Sequence, residues 1–191
     1  MYLGDFMQIN NKLESIKYIK DKKLNQFPEK LFHSGDDSKI INFLSNYPAK
    51  YYAIRSKEKV KCLNNDYKVA KEEVLQKAKQ FDLFTINVSS YNYTDNLLLI
   101  GDIMIGSNKA VWLIASTNKN YTGRMAEENP DFNISTDIFD KKLNDIPGFD
   151  LIYDYIINNE LTDIIVEFAI YNIPVGINNE NVIVFEVRTN F

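Results

Sequence analysis

The sequence predicts an α+β fold: a single domain over residues 1–191, with a mostly antiparallel or mixed sheet built from hairpins and several helices packed on it. Three observations predict it. Alternating apolar segments come in pairs joined by turn residues, and segments with helical spacing lie between them. No repeat and no Pro/Gly/Ser-rich linker divides the chain, so helices and hairpins must share a core. With 45% apolar and 13% aromatic residues in 191, that core needs no staple.

Residues 12–24 place Leu13, Ile16, Tyr18, Ile19 and Leu24 on a helical stripe against a lysine-rich background. Pro28 ends that helix. Ser34-Gly-Asp-Asp37 offers N-cap chemistry to a second helix, which carries Ile40, Ile41, Phe43 and Leu44 and stops at Pro48. A short strand follows over 50–56. After a charged loop, residues 67–81 return to helical spacing through Val69, Val74, Leu75 and Ala78. Residues 83–88 alternate as a strand, and Leu97 to Ile105 pairs with Ala110 to Ala115 across Gly106-Ser-Asn-Lys109. Polar residues dominate Thr117 to Pro130, which reads as a functional loop. Two helices are expected next, the first capped at Ser135 or Thr136, the second over Phe149 to Asn158 and able to carry a parallel crossover. A last hairpin joins Ile164–Tyr171 to Val182–Asn190.

A net charge of −4 argues against nonspecific binding to nucleic acid or anionic membrane, since both need a positive field. The most basic stretch, Lys57, Lys59, Lys61, Lys68 and Lys71, is diluted by Glu58, Asp66, Glu72 and Glu73. Cys62 is the only cysteine, which excludes an internal disulfide and a thiolate cluster. The start lacks a basic then apolar leader and no apolar run is long enough to span a bilayer, so the expected location is cytoplasmic. The Asn-x-Ser/Thr sites at Asn87, Asn92, Asn120 and Asn133 then reflect asparagine richness.

The terminal hairpin concentrates the candidate chemistry. Alternation puts Ile164, Val166, Phe168 and Ile170 opposite Ile165, Glu167, Ala169 and Tyr171. In the next strand it sets Ile183, Phe185, Val187 and Phe191 against Val182, Val184, Glu186, Arg188 and Asn190. Matching the apolar sets brings Glu167, Glu186, Arg188 and Asn190 to one face with Tyr171, because a one-residue slip would bury Glu186 and Arg188. Such a face is either the solvent side of an antiparallel pair or one wall of a cleft. Carboxylates beside an amide can hold Mg²⁺, and a guanidinium can grip a phosphate or carboxylate in bidentate fashion.

Among 22 basic residues only Arg55, Arg124 and Arg188 are arginine, which marks them as candidate anion contacts, with structural ion pairing the competing role. Asp102 interrupts an apolar strand and therefore needs a partner: Arg55, a metal, a ligand, or water at a sheet edge. The candidate metal set is Asp102, Glu167 and Glu186. His33, the sole histidine, reads as a surface or capping residue, and Cys62 has no histidine at hand to activate it. No Gly-x-Gly-x-x-Gly or Gly-Lys-Ser/Thr phosphate loop is present.

Arg55 on a strand, Asp102 on a hairpin, then Glu167 and Glu186 on two late strands with Asn190 nearby: this order resembles the catalytic half of ATP-grasp enzymes. The resemblance implies Mg-dependent nucleotide binding. The chain departs from that family's Glu-x-Asn motif with Glu186-Val-Arg-Thr-Asn190, and it lacks the family's Gly-rich loop. The expected function is binding of a small anionic ligand, a nucleotide or a phosphorylated or carboxylated metabolite, with Mg²⁺ as the candidate cofactor and catalysis open. The alternatives are a degenerate ATP-grasp-like enzyme and a protein-interaction module or homo-oligomer anchored by Tyr51, Tyr52, Tyr91 and Tyr93.

Overall fold

The computed structural model describes residues 8–9, 12–56, 65–119 and 129–189. The fold is α+β with two sheets, and every strand pairing among the described residues is antiparallel. The expected parallel crossover is absent from those pairings. The chain forms two compact units: Met1–Gln26 with Asp95–Phe191, and Phe27–Thr94 inserted between them in sequence.

The inserted unit has a four-stranded sheet in the order β1-β4-β2-β3, built from β1 (Glu29–His33), β2 (Tyr51–Ser56), β3 (Asp66–Ala70) and β4 (Leu83–Val88). Helices α2 (Asp37–Asn46) and α3 (Val74–Ala78) complete it. Alternation sends Tyr52 and Ile54 of β2 and Phe84, Ile86 and Val88 of β4 into the core, where Phe32, Ile40, Phe43 and Val74 are also buried. Two expectations change here. The predicted helix over 67–81 is strand β3, a single turn at Lys71–Glu73, then the short α3, because Val69 fills the core from a strand paired with Tyr52. Asp36 stands at the N-cap of α2, but its carboxylate turns back to accept from the His33 N–H at 2.9 Å and pairs with Lys39 at 2.7 Å.

The other unit has a five-stranded sheet in the order β7-β6-β5-β8-β9. Its strands are β5 (Leu97–Ile105), β6 (Ala110–Ser116), β7 (Phe132–Asp137), β8 (Ile165–Val175) and β9 (Glu180–Arg188), with helices α1 (Lys12–Asp21) and α4 (Phe149–Asn158). The segment expected to cap a helix at Ser135 or Thr136 is strand β7, in register with β6. One face carries the core: Leu99, Ile103, Val111, Leu113, Val166, Phe168 and Ile170 pack with Ile152 and Ile156 of α4. Val182, Val184 and Val187 of β9 belong to the same cluster. Strict alternation cannot place Val184 and Val187 on one face. The ladder explains it: Glu167 pairs with Glu186 and Phe168 with Val184, so Phe185 is an extra residue in a β-bulge. The expected facing of Val182, Val184 and Ile183 is thereby reversed, while Glu186 and Arg188 keep theirs.

Strand β9 is a sheet edge, yet its outward amides are occupied. Val187 N donates to Ser15 Oγ of α1 at 2.8 Å, Val184 N to the Asn25 carbonyl at 2.9 Å, and Thr189 N to the Ile9 carbonyl at 3.2 Å. Asn25, wholly buried, also closes the hairpin neck. Its Nδ2 donates to the carbonyls of Val175 (2.9 Å) and Val182 (2.8 Å), and its Oδ1 accepts from Asn178 N at 2.9 Å.

Candidate functional site

Residues paired directly across an antiparallel ladder project to the same face, their Cβ atoms about 5 Å apart. The printed registers therefore trace one row over all five strands of the larger sheet: Asn133, Ile114, Asp102, Glu167, Glu186. Three carboxylates stand side by side in that row, on the face opposite the core. Arg188 lies on the same face, paired with Ile165 two residues beyond Glu186. It reaches across the intervening β8, and its Nη2 donates to Asp102 Oδ1 at 3.0 Å. Two strand spacings are about 10 Å, which needs the length of an arginine side chain as well as its charge.

Asp102 sits on a central strand and is only 1% exposed, so the edge-strand explanation fails and its partner is Arg188 rather than Arg55. Burial pushes its carboxyl up to about 6; Arg188 pulls the other way, and Glu186 adds to the rise. Around the row the face is covered. Ile165, Ala169, Tyr171 and Ile183 are all buried, while Glu167 and Glu186 are half-buried, so a plain solvent face does not describe it. The predicted meeting of Glu167, Glu186 and Arg188 is thus present in the ladder, with Asp102 joined to it. Arg124 and Asn190 lie outside the described residues, as do Cys62 and most of the polar loop.

The donor set does not suit a divalent cation. Mg²⁺ requires oxygens converging at about 2.0–2.1 Å. Among the described residues no three His, Cys, Asp or Glu side chains form such a group, and the guanidinium already occupies Asp102.

Arg55 belongs to the other unit and heads a second cluster that sequence reading missed. In β2 and β4 it pairs with Thr85, and Ala53 pairs with Asn87, so Arg55, Thr85 and Asn87 share the sheet face opposite that unit's core. Thr85 is 4% and Asn87 7% exposed. Three of their atoms are buried with no hydrogen-bond partner: Arg55 Nε, Thr85 Oγ1 and Asn87 Oδ1. Unmatched buried polar atoms are costly, about 1–3 kcal/mol each, and three on one face mark a place where a ligand's polar groups would be welcome. The centroid of the Tyr67 ring lies 5.4 Å from the Arg55 guanidinium carbon. The available signal was the pair of polar residues two apart in Leu83-Phe-Thr-Ile-Asn-Val88; nothing in it revealed that their face is buried.

His33 and the tyrosines are the remaining candidates. His33 is exposed on β1. Of the four tyrosines, Tyr52 is a core residue whose hydroxyl donates to the Tyr47 carbonyl at 2.8 Å, and Tyr93 stacks on Phe27 at 5.3 Å. A surface depression of about 350 Å³ on the same unit, lined by Ile41, Leu44, Ser45, Lys71, Glu72 and Leu75, holds none of the candidate residues. Among the described residues no helix is long and apolar enough to cross a membrane.

The chain's fold is similar to that of ATP-grasp ligases of known structure, at low sequence identity and over part of their length. N5-carboxyaminoimidazole synthase from Aspergillus clavatus, in complex with ADP and 5-aminoimidazole ribonucleotide, aligns with a TM-score of 0.52 at 8% identity, over 96% of this chain and 45% of that one. Macrocyclase MdnC from Microcystis aeruginosa MRC, bound with precursor peptide MdnA, aligns at 0.49 and 12% identity over 93% and 53%. D-alanine-D-alanine ligase from Helicobacter pylori aligns at 0.44 and 12% over 94% and 53%. The chain thus spans about half the length of these proteins. No protein-family model and no curated protein matches its sequence.

Proposed function

We propose that this chain is an ATP-grasp-like domain that binds an adenine nucleotide. The observation that carries the reading is the trio on the four-stranded sheet: a guanidinium N–H, a hydroxyl and an amide oxygen, all buried and unmatched on one face. Such a set offers two donors and an acceptor. Arg55 Nε suits a phosphate oxygen, and Asn87 Oδ1 accepts from an N–H of a base or from a ribose hydroxyl. Sharing a fold with a protein crystallised with ADP supports the choice of ligand class.

The trio makes a test of opposite signs available. Thr85→Val removes a buried hydroxyl that has no partner, so the ligand-free protein should melt higher, while ADP affinity measured by calorimetry should fall about tenfold. A Thr85→Val protein that binds ADP as tightly as wild type, or a wild type that ADP neither binds nor stabilises, removes the reading.

A further inference from the structure

Resting on the nucleotide-binding reading, we infer that Asn87 decides which base this chain accepts: its amide oxygen takes an exocyclic amino group, so that an amino purine is held and an oxo purine refused. The orientation of the amide is fixed. Asn87 Nδ2 donates to the Val88 carbonyl at 3.0 Å, and a carbonyl can only accept. Turning the amide over would set two acceptors against each other, so Oδ1 is the end left for a ligand. Val88 is held in its turn, paired with Tyr52 of β2 and donating its N–H to the Pro28 carbonyl at 3.0 Å.

The Asn87 oxygen is buried without a hydrogen-bond partner, and its neighbours across the ladder supply none. Asn87 stands between Glu29 of β1 and Ala53 of β2; a carboxylate accepts and a methyl donates nothing. Two residues back along β4, on the same face, the Thr85 hydroxyl is likewise unmatched and is able to donate. This face therefore offers a fixed acceptor with a donor nearby. Adenine presents the complementary edge, an amino group that donates beside a ring nitrogen that accepts. Hypoxanthine keeps the same ring system but replaces the amino group with a carbonyl. That substitution would bring oxygen against oxygen in a buried place, which costs more than the loss of one hydrogen bond.

ADP and inosine diphosphate, which differ at that position of the purine, are the probes, titrated calorimetrically into the full chain. Wild type should bind ADP about 10- to 100-fold tighter than inosine diphosphate. Asn87→Leu, close in size but without the acceptor, should bring the two affinities to within about twofold by weakening ADP and sparing inosine diphosphate. Equal affinities in wild type overturn the inference while the nucleotide reading stands, and this comparison decides alone should Asn87→Leu fail to fold. A folded Asn87→Leu chain that keeps the full preference overturns it as well. So does one that weakens both nucleotides alike, the mark of a purely structural asparagine. If wild type binds neither nucleotide, the nucleotide reading falls and the role of Asn87 falls with it.

Discussion

Asp102 has a cost that a neutral residue would not. Its ordinary value of 3.8 is raised to about 6 by burial, so the folded state holds the proton more tightly than the unfolded chain. The stability contributed by that proton is fully present below about 3.8 and lost as pH rises through about 6. At 1.36 kcal/mol per unit the loss is about 3 kcal/mol. Asp102→Asn cannot ionise and should escape it: in urea titrations its stability relative to wild type should rise by about 2.4 kcal/mol between pH 4 and pH 7.5. A gap that stays constant over that range would contradict the burial argument. Glu167, Glu186 and Arg188 were legible in the sequence because strand alternation needs only local spacing. The partner of Asp102 was not, since it depends on β5 lying beside β8, which no local pattern encodes. Thr85 and Asn87 were illegible for a related reason: their residue types suit a wet face, and only tertiary structure reveals a buried one.

At the level of elements, the β5–β6 hairpin and α4 follow from turn residues and strong periodicity and fall where the sequence puts them, whereas β8 runs on through Pro174 to Val175 and β9 starts at Glu180. The misses share a cause. In β1 only Phe32 is buried, so Glu29–His33 shows no alternation to read. In β7 the alternation is between half-buried and exposed positions, with Ser135 and Thr136 looking like cap chemistry. The bulge at Phe185 lets one strand serve a core on one side of it and the acid row on the other without burying a charge. Gly101 shows how tightly β6 approaches beside that row: a Cβ there would overlap the Ile114 carbonyl oxygen and the Ala115 Cα. Gly101→Ala should therefore cost about 3 kcal/mol in chemical denaturation. Asn25→Ala, which strands the Val175 and Val182 carbonyls, should cost about 2–4 kcal/mol and raise amide exchange at Asn178 and Val184. Exchange unchanged at those amides would show that Asn25 is not the clasp of the hairpin neck.

For the whole molecule, the sequence anticipated α+β with one sheet shared by all hairpins, whereas the chain builds two sheets in two units. No Pro/Gly/Ser-rich linker marks the junctions near Gln26 and Asp95. The larger unit is discontinuous: α1 and Asn25 come from one end of the chain, and their partners in β9 from the other. That has a consequence for the chain as it is made. During synthesis the inserted unit is complete once Thr94 has emerged, while α1 must wait for almost the entire remaining chain before Ser15 can meet Val187. Ribosome-bound chains probed with protease should show residues 27–94 protected early and 12–25 cleavable until β9 is released. The helix made first would then be among the last pieces to find its place.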